Sequence, residues 1–183
     1  MVDLAVTDVP TAPDVPGAPD VPAGVTIRRP VEADHRRVVV LVDDWWGDRR
    51  LQHLLPRLWF QHFGGTSWIA ESDDGRVAGF LVGFVSPDHP ERAYVHVIGT
   101  RPNLRRQGLG RELYRRFLED VAGRGVRQVR AITWAANRGS IAFHRRLGFR
   151  LHDGPGTSPI YGVPAFADYD SEADDKVLFI LDL

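Results

Sequence analysis

Apolar positions in this chain fall into blocks whose spacing changes along its length. The stretch "VTIRR" (25–29) alternates and predicts a short strand. Pro30 suits the first position of a helix, with Glu32 and Asp34 in its first turn, and that helix is expected to run to about Asp43. Its "VVVLV" segment, taken alone, also reads as strand. In "RRLQHLLPRLWFQHF", Leu51, Leu54, Leu55, Leu58, Trp59 and Phe63 recur at helical spacing; Pro56 kinks or splits the helix, and Gly64 and Gly65 end it. The pattern then switches. "SWIAES", the turn "DDGR" and "VAGFLVGFVS" predict a hairpin, and "RAYVHVIGT" a further strand. Leu109, Leu113, Phe117 and Val121 mark the next helix, closed by Gly123 and Gly125. "VRQVRAITWAA" is a strand, and Ser140 is the expected cap of a short helix, "IAFHRRL", stopped by Gly148. "FRL" and "KVLFILDL" are the last strands. Between them a long loop, about 153 to 175, is rich in Gly, Pro and Asp, and a loop of that length in a small domain is usually functional or mobile.

The first 24 residues follow no such pattern. Asp-Val-Pro recurs at 8, 14 and 20, and proline at that density builds neither helix nor central strand. Residues 1–24 are therefore expected to be a disordered, Pro-rich tail and 25–183 a single domain. A hydrophobic content of 43% and five Trp suit a globular protein. The net charge of −1 gives no general argument for nucleic acid or an anionic membrane. With no Cys, disulfides, thiolate metal sites and a cysteine nucleophile are excluded, which agrees with a cytoplasmic setting. No apolar run reaches the roughly 18 residues of a membrane span, and the N-terminus has neither the basic nor the apolar region of a secretion signal.

Candidate chemistry centres on "TRPNLRRQGLGRELYRRFLE" (100–119). Helix starts carry unpaired N–H groups and a positive dipole end, and glycine there lets a bulky anion approach the backbone. Gly108 and Gly110 thus describe a phosphate cradle, with Arg105 and Arg106 at its mouth. A strand on either side predicts a βαβ crossover that brings the two strands parallel. A P-loop is excluded because no Gly-Lys-Ser/Thr follows. A dinucleotide fingerprint is excluded because Leu113 stands where a third small residue belongs, and because this strand is at least the fourth.

The run Arg105-Arg106-Gln107-Gly108-Leu109-Gly110 resembles the acyl-CoA signature of the GNAT N-acetyltransferases, Arg/Gln-x-x-Gly-x-Gly/Ala. Downstream, "NRGSIAFHRRLGF" (137–149) resembles the family's second signature, Asn-x-x-Ala/Ser-x-x-x-Tyr-x-x-x-Gly-Phe. The resemblance implies an α/β (α+β) fold with a mixed, mostly antiparallel central sheet flanked by helices and one parallel βαβ crossover. It also implies acetyl transfer from acetyl-CoA to an amine, with no metal. A lysine-like amine, pKa about 10.4, is neutral in roughly one molecule in 2,500 at pH 7, a handicap of about 4–5 kcal/mol, so something must accept its proton. By resemblance, main-chain groups of Ile98, Gly99 and Thr100 meet the acyl and pantetheine portion. Gln107 to Arg111 hold the diphosphate, with Arg105, Arg106 and Arg111 beside it, and Asn137 bonds the cofactor arm. Arg138 and Arg145 are candidates for the 3′-phosphate or for a solvated face.

Alternation would set Tyr94, His96 and Ile98 on one face of their strand. His96 is the first candidate for the base, acting through water, with Tyr94 beside it. The family's tyrosine acid is replaced here by His144, an imidazole able to protonate a leaving thiolate; Tyr161 on the late loop is a weaker rival. Asp43, Asp44 and Asp48 beside Trp45 and Trp46 would hold a cationic amine by charge and cation–π contact. Expected partners are acetyl-CoA and an amine acceptor, without nucleic acid or membrane; a homodimer stays open. Two other readings also stay open: a protein lysine or N-terminal acetyltransferase, and a non-catalytic acyl-CoA-binding module.

Overall fold

The computed structural model describes residues 21–47 and 50–183. Most of the tail, and Asp48, therefore lie outside the described residues. In chain order the elements are β1 (Val25–Arg28), α1 (Asp34–Trp45), α2 (Leu58–His62), β2 (Trp68–Ser72), β3 (Val77–Val85), β4 (Arg92–Thr100), α3 (Leu109–Ala122), β5 (Gln128–Trp134), α4 (Arg138–Arg146), β6 (Arg150–Leu151), β7 (Ser158–Ile160), β8 (Val163–Ala165) and β9 (Lys176–Asp182). Seven strands form one sheet in the order β1-β2-β3-β4-β5-β9-β6, and β7 and β8 form a separate hairpin. Only β4 and β5 pair in parallel, through the crossover helix α3; the other pairs are antiparallel.

Two clusters of buried side chains lie on opposite faces of this sheet. One packs Leu109, Leu113, Tyr114 and Phe117 of α3 against Leu81, Val95, Val129 and Phe179. The other packs Val38, Val42 and Trp45 of α1, with Phe60 of α2, against Ile69, Phe80 and Val82. β3 is apolar almost throughout because it is buried on both faces.

Several elements differ from the sequence pattern. α1 starts at Asp34, four residues past Pro30, because the Asp34 carboxylate accepts from the Val31 N–H (2.8 Å) and from Arg28 (2.7 Å) in a buried position. Glu71 on β2 extends that network to Arg28 and Arg37, tying β1, α1 and β2 together. "VVVLV" is helix, since only Val38 and Val42 of it need burial and they fall one turn apart. Pro56 does split its helix, leaving a 3₁₀ turn at Gln52–Leu54 and the short α2. Asn137, not Ser140, caps α4: its Oδ1 accepts from the Ser140 N–H at 3.1 Å. The loop expected over 153–175 contains the β7–β8 hairpin.

Candidate active site

β4 and β5 pair only from Arg92 opposite Gln128 to Val95 opposite Ala131. Beyond that point each follows its outer neighbour, β4 staying with β3 and β5 with β9. The two strands part, and a cleft of about 1180 Å³ opens between them. Val97 to Thr100 line one side of it and Ile132 to Trp134 the other. Past Val95 the β5-facing edge of β4 is outside any ladder, so its polar groups are available to a ligand.

At the cleft mouth α3 begins on Gly108, which has φ +83°. Only glycine takes that conformation at little cost, and as N-cap it offers no side chain to the first N–H groups of the helix. Arg106, also left-handed (φ +63°), and Arg111 line the cleft beside it. Gly110 has a further reason. A Cβ there would lie 3.2 Å from Phe143 Cζ, so glycine also lets α4 approach α3. Leu109 is core and contributes only its backbone; the Gln107 side chain turns back to the Asn103 carbonyl at 3.0 Å. Arg105 does not stand free at the mouth. It donates to the carbonyls of Trp45 and Thr100, joining the end of α1 to the end of β4. Both ends of the Asn137 amide are occupied, by the helix cap and by Thr133 Oγ1 (3.1 Å). Arg146, rather than Arg138 or Arg145, lines the cleft.

β4 changes face in mid-strand. Val95 pairs with Gly83 and Val97 with Val82, which leaves His96 as the extra residue of a β-bulge. Ahead of it Ala93 and Val95 face α3; after it Ile98 does. Tyr94, His96, Val97 and Gly99 face α1 and α2 instead. The expectation that Ile98 shares a face with Tyr94 and His96 is therefore corrected: one inserted residue inverts the alternation.

His96 stacks on Trp59 at 4.3 Å, and its Nε2 lies 2.6 Å from the Leu54 carbonyl. A carbonyl can only accept, so Nε2 carries the proton and Nδ1 the lone pair. Burial pushes this imidazole below its ordinary pKa, against a smaller opposing effect from the Leu54 bond, so it is neutral at pH 7. Tyr94 packs on Phe84 and burial raises its phenol pKa, which keeps it protonated.

His144 cannot be the imidazolium donor that its sequence position suggested. It is 3% exposed and stacked on Phe179 at 4.2 Å. Its Nδ1 donates to the Ser140 carbonyl at 2.8 Å, and its Nε2 accepts from the Tyr114 hydroxyl at 2.6 Å. Burial drives it down to about 4, with the Ser140 bond pulling the other way, so the ring is neutral and both nitrogens are engaged. Tyr161 is 66% exposed at the tip of the β7–β8 hairpin, away from the cleft.

The acidic cluster at the end of α1 is divided in its roles. Asp43 accepts from the Leu51 N–H (2.7 Å) and from Gln52 (3.0 Å), stapling its own loop, and Asp44 is exposed outside the cleft. Trp45 is core and Trp46 lines the cleft. Among the described residues the carboxylate that does line it is Asp170, in the late loop that the sequence marks as rich in Gly, Pro and Asp. Also unforeseen is Lys176, the chain's only lysine, nine-tenths buried with its ammonium 4.6 Å from the Trp134 ring and 2.5 Å from Asp174. Among the described residues no group of His, Asp or Glu could hold a metal ion, and no helix is long and apolar enough to cross a membrane.

Comparison with known proteins agrees with this arrangement of a split β4–β5 pair beside a glycine-led helix. The profile of the acetyltransferase (GNAT) family matches residues 36–149. This chain belongs to that family. It is 30% identical over 117 residues to the L-2,4-diaminobutyric acid acetyltransferase of Nocardia farcinica, covering 64% of this chain and 60% of that one. It is 30% identical over 142 residues to the mycothiol acetyltransferase of Saccharomonospora viridis, covering 69% and 46%. The chain thus spans about half the length of the curated relatives it matches. The diaminobutyrate acetyltransferase EctA of Paenibacillus lautus, solved with L-2,4-diaminobutyric acid and coenzyme A, has the same fold (TM-score 0.61, 22% identity, 85% of this chain and 93% of that one).

Proposed function

We propose that this chain transfers an acetyl group from acetyl-CoA to a primary amine of a small cationic or amphipathic molecule, by direct attack in a ternary complex. The observation that carries this reading is the parting of β4 and β5 beside the uncapped start of α3, with His96 on the other face of the opening. The residues suit acetyl-CoA. The first N–H groups of α3, with Arg106 and Arg111 alongside, offer a site for a diphosphate. The open edge of β4 at Ile98, Gly99 and Thr100 offers main-chain partners to a pantetheine arm. Acetyl-CoA, when bound, supplies an activated thioester whose carbonyl carbon takes the amine and whose sulfur leaves.

The chain's own residues handle the proton. α3 and α4 occupy one face of the opening, so the amine enters from the α1 face, where His96 lines the cleft with Nδ1 as its unprotonated nitrogen. His96 accepts the amine proton, directly or through water. Asp170 draws a cation toward the cleft, and Leu51, Leu54, Trp46 and Trp134 give it apolar walls. No dedicated acid is assigned at the sulfur. His144 is neutral, burial raises the Tyr114 phenol, and a thiol of pKa about 8.5 can leave as its thiolate. The activities named for the diaminobutyric acid acetyltransferases support a small acceptor.

A panel of diamines, amino acids and short peptides with acetyl-CoA, read by thiol release, tests this. Release with small amines and not with peptides is expected. Release with peptides alone would overturn the small-acceptor reading in favour of a protein acetyltransferase. Tight acetyl-CoA binding with no acceptor of any kind would make the chain a binding module.

A further inference from the structure

Gly99 lies on the part of β4 that has left β5. A Cβ there would fall 2.5 Å from Trp46 Cη2 and 3.1 Å from Phe80 Cε1. The Trp46 indole therefore rests directly on bare backbone, in space that any other residue at 99 would fill. Further contacts hold the ring and its neighbour Trp45. Trp46 meets the Phe80 ring edge-on at 6.1 Å, and Trp45 stacks on the same ring at 5.9 Å. Arg105 donates both to the Trp45 carbonyl and to the Thr100 carbonyl, clasping the end of α1 to the end of β4. The ring is also part of the cleft wall. Packed aromatic rings tied down by a guanidinium make a stiff boundary, because neither the strand nor the helix end can retreat without breaking the clasp.

We propose that Trp46 limits the length of the acyl chain this cleft accepts. It acts as a specificity-determining residue for short-chain acyl thioesters rather than as a cation–π holder of the amine. The inference rests on the acyl-CoA reading above. An acyl group held by the main chain at Ile98 to Thr100 would meet the indole on the α1 face as it lengthens. A two-carbon group would then be accepted, and each added methylene would press on the ring. Gly99 and Trp46 act as one device, the missing side chain on the strand admitting the large one from the helix end.

The test uses the full chain and needs no acceptor: calorimetric titration with acetyl-, butyryl- and hexanoyl-CoA. The wild type is expected to bind hexanoyl-CoA at least about tenfold more weakly than acetyl-CoA. Trp46→Ala should narrow or reverse that ratio, and Trp46→Leu should fall between. Equal wild-type affinities overturn the proposal even if both variants fail to fold. An unchanged ratio in folded variants overturns it. Failure of the folded wild type to bind any acyl-CoA would sink the proposed function itself. An unchanged ratio with tight acetyl-CoA binding sinks this inference alone.

Discussion

His96 and His144 carry the same side chain in opposite circumstances. Each has one nitrogen donating to a main-chain carbonyl, but the second nitrogen of His144 is occupied by the Tyr114 hydroxyl, whereas His96 lines the cleft and, among the described residues, is hydrogen-bonded through Nε2 alone. His96→Ala is therefore expected to lower the transfer rate at neutral pH by about 10²–10⁴-fold, the usual contribution of a general base. The loss should shrink as pH rises, because more of the amine is then neutral without help. In the wild type, burial holds the His96 pKa below 6.5, so the base should fail only below that pH. A pH–rate profile of both proteins checks this, and parallel profiles would leave the proton to water. Residue identity singled out both histidines, but it could not rank them. The difference lies in partners, Leu54 and Trp59 against Tyr114 and Phe179, that are remote in sequence.

Among the elements, α3 and its loop were the most legible in sequence, because glycine at a helix start has a local cause. Gly108→Val forces a branched side chain into φ +83°, which costs about 1–2 kcal/mol, and sets its methyls at the anion-facing helix start. The expected outcome is a folded protein, by circular dichroism, with acetyl-CoA affinity lost in calorimetry. Normal affinity would mean that the diphosphate lies elsewhere. The long strands β3, β4 and β5 were equally legible, since their apolar runs exceed any turn signal. The bulge was not. One unpaired residue leaves "RAYVHVIGT" looking like simple alternation, and only the register against β3 reveals the shift. The β7–β8 hairpin was also hidden, because three-residue strands among Gly and Pro carry too little pattern to distinguish from loop.

For the molecule as a whole, the buried neutral His144 sets a pH limit on stability. Its folded pKa is about 4 and its unfolded value about 6.5. Between these values the unfolded chain binds a proton that the folded one refuses, so stability is complete above pH 6.5 and falls as pH drops toward 4, by about 3 kcal/mol in all. His96 acts with the same sign. Urea midpoints at pH 7 and pH 5 should show the loss, and His144→Phe should flatten it while lowering stability at pH 7 by about 1–3 kcal/mol, since Tyr114 then lacks its acceptor. An equal fall in the variant would place the titrating group elsewhere. At this scale the bulge at His96 has a further consequence. It divides β4 into two stretches under separate selection: side chains at 94 and 96 face α1 and α2, while at 98 and 100 the proposed acyl site uses main chain, and at 99 only glycine leaves room for Trp46. Substitutions at 94 and 96 could thus explore new acceptors without altering the handle offered to the acyl donor. Adding or deleting a single residue in the strand would instead exchange its two faces.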